Sequence, residues 1–186
     1  MIRKKNNQKT FNILTNDPSL TGWGYAVVTI SGRVLETGCI KTEPNSKKKN
    51  LRKTDDRARR ISEINKELLG VIKKYRVNFI VSEIPHGSQS AVSAVMIGIV
   101  AGMIQTLADT LDLPMEGYSE GEVKKYMLGK RAAMKSEMID AVCKKLDWEP
   151  TGTKYKDEAV ADALGVFLTA SNESEALQLM RKITTL

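Results

Sequence analysis

The amino-acid sequence predicts an α/β fold, a mixed sheet with helices on both faces. Two observations carry that expectation. Apolar residues recur with strand-like spacing up to residue 42 and with helical spacing from Asp55 to Tyr75. The segments then follow the order β-β-β-α-β-α-β-α-α-α. Three successive strands make an antiparallel meander, whereas strands separated by helices pair in parallel, so the sheet is mixed.

Each element has its own justification. Residues 1–10 hold Arg3, Lys4, Lys5 and Lys9 without an acid and read as a flexible basic arm. Residues 11–17 form the first strand, which Pro18-Ser19 breaks. Trp23–Ile30 and Arg33–Thr42 are the next two strands, joined by a Ser31-Gly32 turn. Residues 43–54 are a polar loop. From Asp55 to Tyr75, Ile61, Ile64, Leu68, Val71 and Ile72 mark a helix. Val77–Ser82 is a short strand ending at Glu83, and Ala91–Leu111 is a small-residue helix predicted to be buried. Leu113–Tyr118 is a strand, and Ser119 with Glu122 fits a capping box that opens a helix to Met127. Lys135–Leu146 and Asp157–Ala170 are two more helices, and the tail from 171 to 186 has room for one short amphipathic helix.

The 186 residues suffice for one domain with a full core, and 41% hydrophobic with 27% charged residues excludes disordered and fibrous classes. The net charge of +7 favours a polyanionic partner, nucleic acid above all, although a basic surface kept for solubility gives the same number. Clustering favours nucleic acid: residues 41–60 hold nine Lys/Arg, including Lys47, Lys48, Lys49, Arg52 and Lys53, against three acids. No uniformly apolar span long enough to cross a membrane is evident, and the basic N-terminus leads into a polar segment rather than a signal sequence. Cys39 and Cys143 lack metal-site spacing and read as reduced, buried small residues of a cytoplasm-like compartment.

Three acids stand at or within apolar runs: Asp17, Glu83 and Asp162. An unpaired buried carboxylate costs several kcal/mol, so three of them imply a shared compensating partner. Asp17 and Glu83 end strands, where functional groups of open α/β sheets gather, and the two converge if their strands are neighbours. Glu158 lies four residues before Asp162, on the same helix face, whereas Asp157 suits the N-cap or first turn. Hard oxygen donors suit Mg²⁺ or Mn²⁺, and two such ions about 4 Å apart can activate water and stabilise the leaving oxygen of a phosphodiester. The alternative keeps them separate: Asp17 in a turn, Glu83 in an ion pair, Glu158 and Asp162 as solvated helix charges. Between Gly121 and Ser136, Lys124, Lys125, Lys130, Arg131 and Lys135 face one acid, a pattern suited to phosphate contacts or to a solvated helix face.

The runs ILTNDPSLTGWGYAVV, VSEIP, EGEVKKYMLGKRAAMKSEMI and DEAVADALGVF together resemble, in order over residues 11–170, the RuvC-type Holliday junction resolvases of the RNase H-like (retroviral integrase) superfamily. The resemblance implies an RNase H-like nuclease domain over 11–170. It also implies a phage or bacterial enzyme that cuts four-way DNA junctions during DNA recombination and repair, working as a homodimer in the cytoplasm. It assigns Asp17, Glu83 and Asp162 as ligands of two Mg²⁺ ions, with Mn²⁺ as a substitute, and Lys124 and Lys135 to the scissile phosphate. Many members carry Asp or His three residues before the last Asp. Here that position is Ala159, and Glu158, one position earlier, is the candidate fourth ligand, with Asp157 as the alternative. His86 stands where the family often places a stacking aromatic, so it is either a base-stacking wedge or an ordinary loop histidine. The small-residue helix serves either a dimer interface or internal packing. The rivals are a flap or RNA–DNA hybrid nuclease of the same fold and a non-catalytic junction-binding module. Asn16, where an apolar residue is commoner, has no account at this level.

Overall fold

The computed structural model describes residues 10–45, 51–84, 90–132 and 134–184. The basic arm through Lys9, the loop lysines Lys47, Lys48 and Lys49, and His86 lie outside the described residues.

Five strands form one sheet: β1 (Asn12–Asp17), β2 (Gly22–Thr29), β3 (Val34–Lys41), β4 (Phe79–Ile84) and β5 (Met115–Ser119), in the order β3-β2-β1-β4-β5. The first three pair antiparallel, and β4 and β5 join parallel to β1 and to each other, as expected. The strand alternation sorts side chains between two cores. Ile13, Ala26, Val28, Phe79 and Val81 face one side, where α3 (Glu120–Leu128), α4 (Lys135–Lys145), α5 (Lys154–Glu173) and α6 (Glu175–Thr184) pack. Leu14, Trp23, Val27 and Ile80 face the other, covered by α1 (Lys53–Tyr75) and α2 (Ala91–Thr110). The expected helices on both faces are therefore present.

Four expectations need correction. α5 opens at Lys154 behind an N-cap at Thr153, a turn earlier than Asp157. α2 is not a buried helix: Val100, Ile104, Leu107 and Ala108 are buried, while Val92 and Val95 are 62% and 53% exposed. It is also, among the described residues, the one helix long and apolar enough to cross a membrane by length and composition, with mean hydropathy 2.0, contrary to the sequence expectation. Its Ala, Ser and Gly content hides that apolarity from the eye, and its second half docks into the core here. Cys39 and Cys143 are half-buried free thiols rather than core residues.

Part of the basic run is structural. Arg60 on α1 is buried, and its guanidinium donates to the Thr42 hydroxyl (2.8 Å), the Leu20 carbonyl (3.0 Å) and the Thr21 hydroxyl (3.1 Å). It clamps the turn that follows Asp17 to the end of β3. Arg59 spends its charge on Asp56 and Glu63. Arg52 and Lys53, at the start of α1, remain exposed, with Arg52 paired to Asp55 at 2.8 Å.

Candidate active site

Strand parity builds the site. Asp17, Gly24 and Glu83 share the parity of Ile13, Ala26 and Val81, so all three face α5. Asn16 pairs with Ser82 across β1 and β4, which puts Asp17 and Glu83 one step further along adjacent parallel strands. Asp17 itself pairs with Gly24 on β2. Gly24 lets α5 approach closely: a methyl group there would stand 2.1 Å from the Ala159 carbonyl oxygen. Thr15 ties the same strand to α5 by donating to the Ala163 carbonyl at 2.5 Å. α5 thereby carries Asp162 to the strand ends.

The result is a cavity of about 180 Å³ walled by Asp17, Glu83, Asp162, Glu120, Lys124 and Lys135, with Val123, Leu128, Met134 and Met138 beside them. The three acids singled out in the sequence are thus brought together. Burial pushes the Asp17 carboxyl up from its ordinary 3.8 to about 7, with repulsion from Asp162 and Glu120 adding to it and Lys135 opposing. Burial, then repulsion from Asp17, Asp162 and Glu120, raises Glu83 from 4.5 to about 8. Asp162 is raised by burial against the pull of Lys135 and Lys124.

Lys135 reaches Asp162 at 3.4 Å and Glu158 at 3.8 Å. Burial pulls its ammonium down, but the charge and hydrogen bond of Asp162 outweigh that and hold it raised. Lys124 pairs with Glu120, one turn earlier on α3. Lys125, Lys130 and Arg131 are exposed around the end of that helix, Lys130 bonding Glu137 at 2.5 Å. Glu158 sits a turn from Asp162, off the cavity wall, and also meets Lys154 at 4.0 Å. Asp157 is turned away: its Oδ1 accepts from the Thr151 amide and hydroxyl, both at 2.8 Å. Ala159 is buried under Gly24 and brings no donor.

Two residues escaped the sequence reading. Asn16 is fully buried on the opposite sheet face, accepts from the Trp23 indole at 3.0 Å and donates to the Val81 carbonyl at 3.4 Å. It fastens β1 to β2 and β4 directly beneath Asp17 and Glu83. Glu120 follows the N-cap Ser119 directly, inside the segment of the Ser119–Glu122 capping box. The box is real, and Glu120 takes no part in it. The signal available was an acid four residues before Lys124.

The donor chemistry fits a hard divalent cation: carboxylate oxygens crowd one cavity and resist ionising without added positive charge. Among the described residues, no three His, Cys, Asp or Glu side chains close into a ready cage, so the acids ring the cavity rather than meeting at a point. The raised values set the sign of a pH effect. The folded state holds protons more tightly than the unfolded chain, so metal-free stability falls as pH rises from about 4 to about 8. Melting temperatures in EDTA should fall between about pH 5 and pH 8, and Mg²⁺ should restore most at the higher pH, where the acids are ionised. A flat EDTA profile, or equal Mg²⁺ gains at both ends, would count against this site.

Comparison with known proteins follows the same outline. The family model described as crossover junction endodeoxyribonuclease RuvC matches residues 13–170. The RuvC of Pelodictyon phaeoclathratiforme is 31% identical over 159 residues, covering 84% of this chain and 77% of that protein. The RuvC of Shewanella woodyi is 29% identical over 170 residues, covering 89% of each. Among solved structures, Thermus thermophilus RuvC in complex with a Holliday junction substrate superposes with a TM-score of 0.70 at 23% identity, covering 94% of this chain and 97% of that one. The yeast mitochondrial Holliday junction resolvase gives 0.58 at 13%, covering 95% and 84%. The structural likenesses carry the fold, an RNase H-like mixed sheet. The sequence matches carry the descent: this chain belongs to the RuvC family of crossover junction endodeoxyribonucleases.

Proposed function

We propose that this chain is a structure-selective endodeoxyribonuclease that resolves four-way DNA junctions in recombination and repair, with residues 11–170 as its nuclease domain. One observation supports it above the rest: in a RuvC-family chain, Asp17, Glu83 and Asp162 arrive from β1, β4 and α5 at one cavity that also holds two lysines. Asp17, Glu83 and Asp162 would hold two Mg²⁺ ions, with Glu158 as a fourth ligand. When bound, the ions supply water activation and charge neutralisation at phosphorus, and Mn²⁺ supplies the same.

The chain's own residues do the rest. Lys135 neutralises the acids in the DNA-free protein and is the cation assigned to the scissile phosphate from α4. Lys124 meets the same phosphate from α3. Lys125, Lys130 and Arg131 track the flanking backbone, joined by Arg52, Lys53 and the loop lysines Lys47, Lys48 and Lys49. His86 is assigned to stacking on an unpaired base at the crossover. Bacterial RuvC relatives support assigning the enzyme to the cytoplasm of a bacterium or a phage-infected host.

Paired nicks on strands of like polarity need two sites, and the open first half of α2 is the surface we assign to a homodimer. Val92 and Val95 are exposed there beside exposed Gly98 and Gly102, which have nothing within 4 Å of a built Cβ. Small residues allow two helices a close approach. Val95→Glu should shift the sedimenting species from dimer to monomer and turn paired cuts into single nicks. A dimer that survives this change places the interface elsewhere.

The deciding experiment is incubation with a synthetic mobile four-way junction and Mg²⁺, followed by mapping of the cuts, with flap and RNA–DNA hybrid substrates alongside. Symmetric nicks near the crossover are expected. Preferential cutting of flaps or hybrids would give the chain to a same-fold rival, and tight binding without nicking in any divalent metal would leave a binding module only.

A further inference from the structure

We propose that Glu120 is a positioning residue for Lys124. In the DNA-free protein its carboxylate stands where a phosphate will later stand, and incoming DNA must displace it. The inference rests on the nuclease reading of this cavity and deepens it.

Glu120 is the first residue of α3, and its carboxylate pairs with the Lys124 ammonium one turn on. Both line the cavity that holds Asp17, Glu83 and Asp162. The two cavity lysines are held differently. Lys135 spans from α4 to the α5 acids at 3.4 and 3.8 Å, inside the ligand set. Lys124 is held by an acid outside that set, and its side chain is 24% exposed while that of Glu120 is 55% exposed. A phosphate entering from solvent therefore meets the glutamate first.

Glu120 has no other assignment. The capping box of α3 is Ser119 with Glu122, whose carboxylate accepts from the Ser119 amide at 2.7 Å. An acid in the first helical turn is favoured by the helix dipole, and an i,i+4 pair adds a few tenths of a kcal/mol. Those gains belong equally to any surface helix. What sets this pair apart is its address: with everything ionised, the cavity wall carries four carboxylates against two ammoniums. Glu120 contributes one of the four, and it also occupies the cation that a scissile phosphate needs. It keeps Lys124 extended into the cavity before DNA arrives and repels DNA that comes without divalent cations.

The test measures binding of the full chain to a fluorescent four-way junction by anisotropy, in EDTA at low salt. Four proteins are compared: wild type, Glu120→Gln, Lys124→Met and the double variant. Glu120→Gln should tighten binding about five- to tenfold, because it removes one repelling charge and releases one attracting charge. In the Lys124→Met background the same change should give about twofold or less, leaving the charge removal alone. In Mg²⁺, the KM for the junction should fall with Glu120→Gln by a similar factor. Unchanged or weaker binding by Glu120→Gln overturns the proposal, and so does tightening that persists in full without Lys124. Failure of the wild type to bind junctions at all would instead overturn the nuclease reading.

Discussion

Replacing Asp17 by Asn should abolish cleavage while making the protein harder to melt. The two effects share one cause. Burial and the neighbouring Asp162 push the Asp17 carboxyl to about 7, so at alkaline pH the folded protein is forced to hold a charge it resists. Asparagine keeps the shape and drops the charge. In metal-free buffer near pH 8 the variant should gain ~2 kcal/mol. For a chain of this length that is a rise of about 4–8 °C. Cleavage of a four-way junction in Mg²⁺ should fall by ~10³-fold or more, since a carboxylate charge proposed to hold the cations is gone. Junction binding in EDTA should hold or tighten. Measurable cutting by Asp17→Asn would refute the ligand assignment, and a lower melting temperature would refute the account of its strain.

Gly24→Ala should cost more than a single methyl ordinarily does. That methyl would lie 2.1 Å from the Ala159 carbonyl oxygen and 2.9 Å from its Cβ. β2 cannot retreat, because Gly24 is paired to Asp17 on one side and Cys39 on the other. α5 must lift, against an interior where Ala161, Ala163, Leu164 and Phe167 are already fully packed. A loss of ~3 kcal/mol is expected. Asp162 rides on the same helix three residues beyond Ala159, so cleavage measured in the cold, where the variant is folded, should still drop. Gly70→Ala on α1 is the control: nothing lies within 4 Å of its built Cβ, and it should stabilise by ~1 kcal/mol. If Gly24→Ala melts with the wild type, the close contact is not what seats α5.

What could be read from the sequence was what is local. The capping box at Ser119 and Glu122 depends on residues three apart, and it stands as expected. Asp17 and Glu83 could be placed at strand ends by parity alone, though only the sheet order made them neighbours. Asn16 resisted reading because its partners, Trp23 and the Val81 carbonyl, lie on two other strands. The choice between Asp157 and Glu158 turned on where α5 begins, and Thr153 rather than Asp157 opens it. The exposure of α2 was invisible for another reason. A helix apolar on every side has no face for periodicity to find, so its half-open state depends on what packs against it.

The hydrogen bond between Trp23 and Asn16 has a consequence beyond adhesion. Slide β1 by one residue and Asp17 swings to the α1 side, while Asn16 leaves the indole without an acceptor. A mispaired molecule is then both unstable and chemically inert. For an enzyme that breaks DNA, correct assembly of the whole sheet works as a safety catch: a chain that has not finished folding carries no blade.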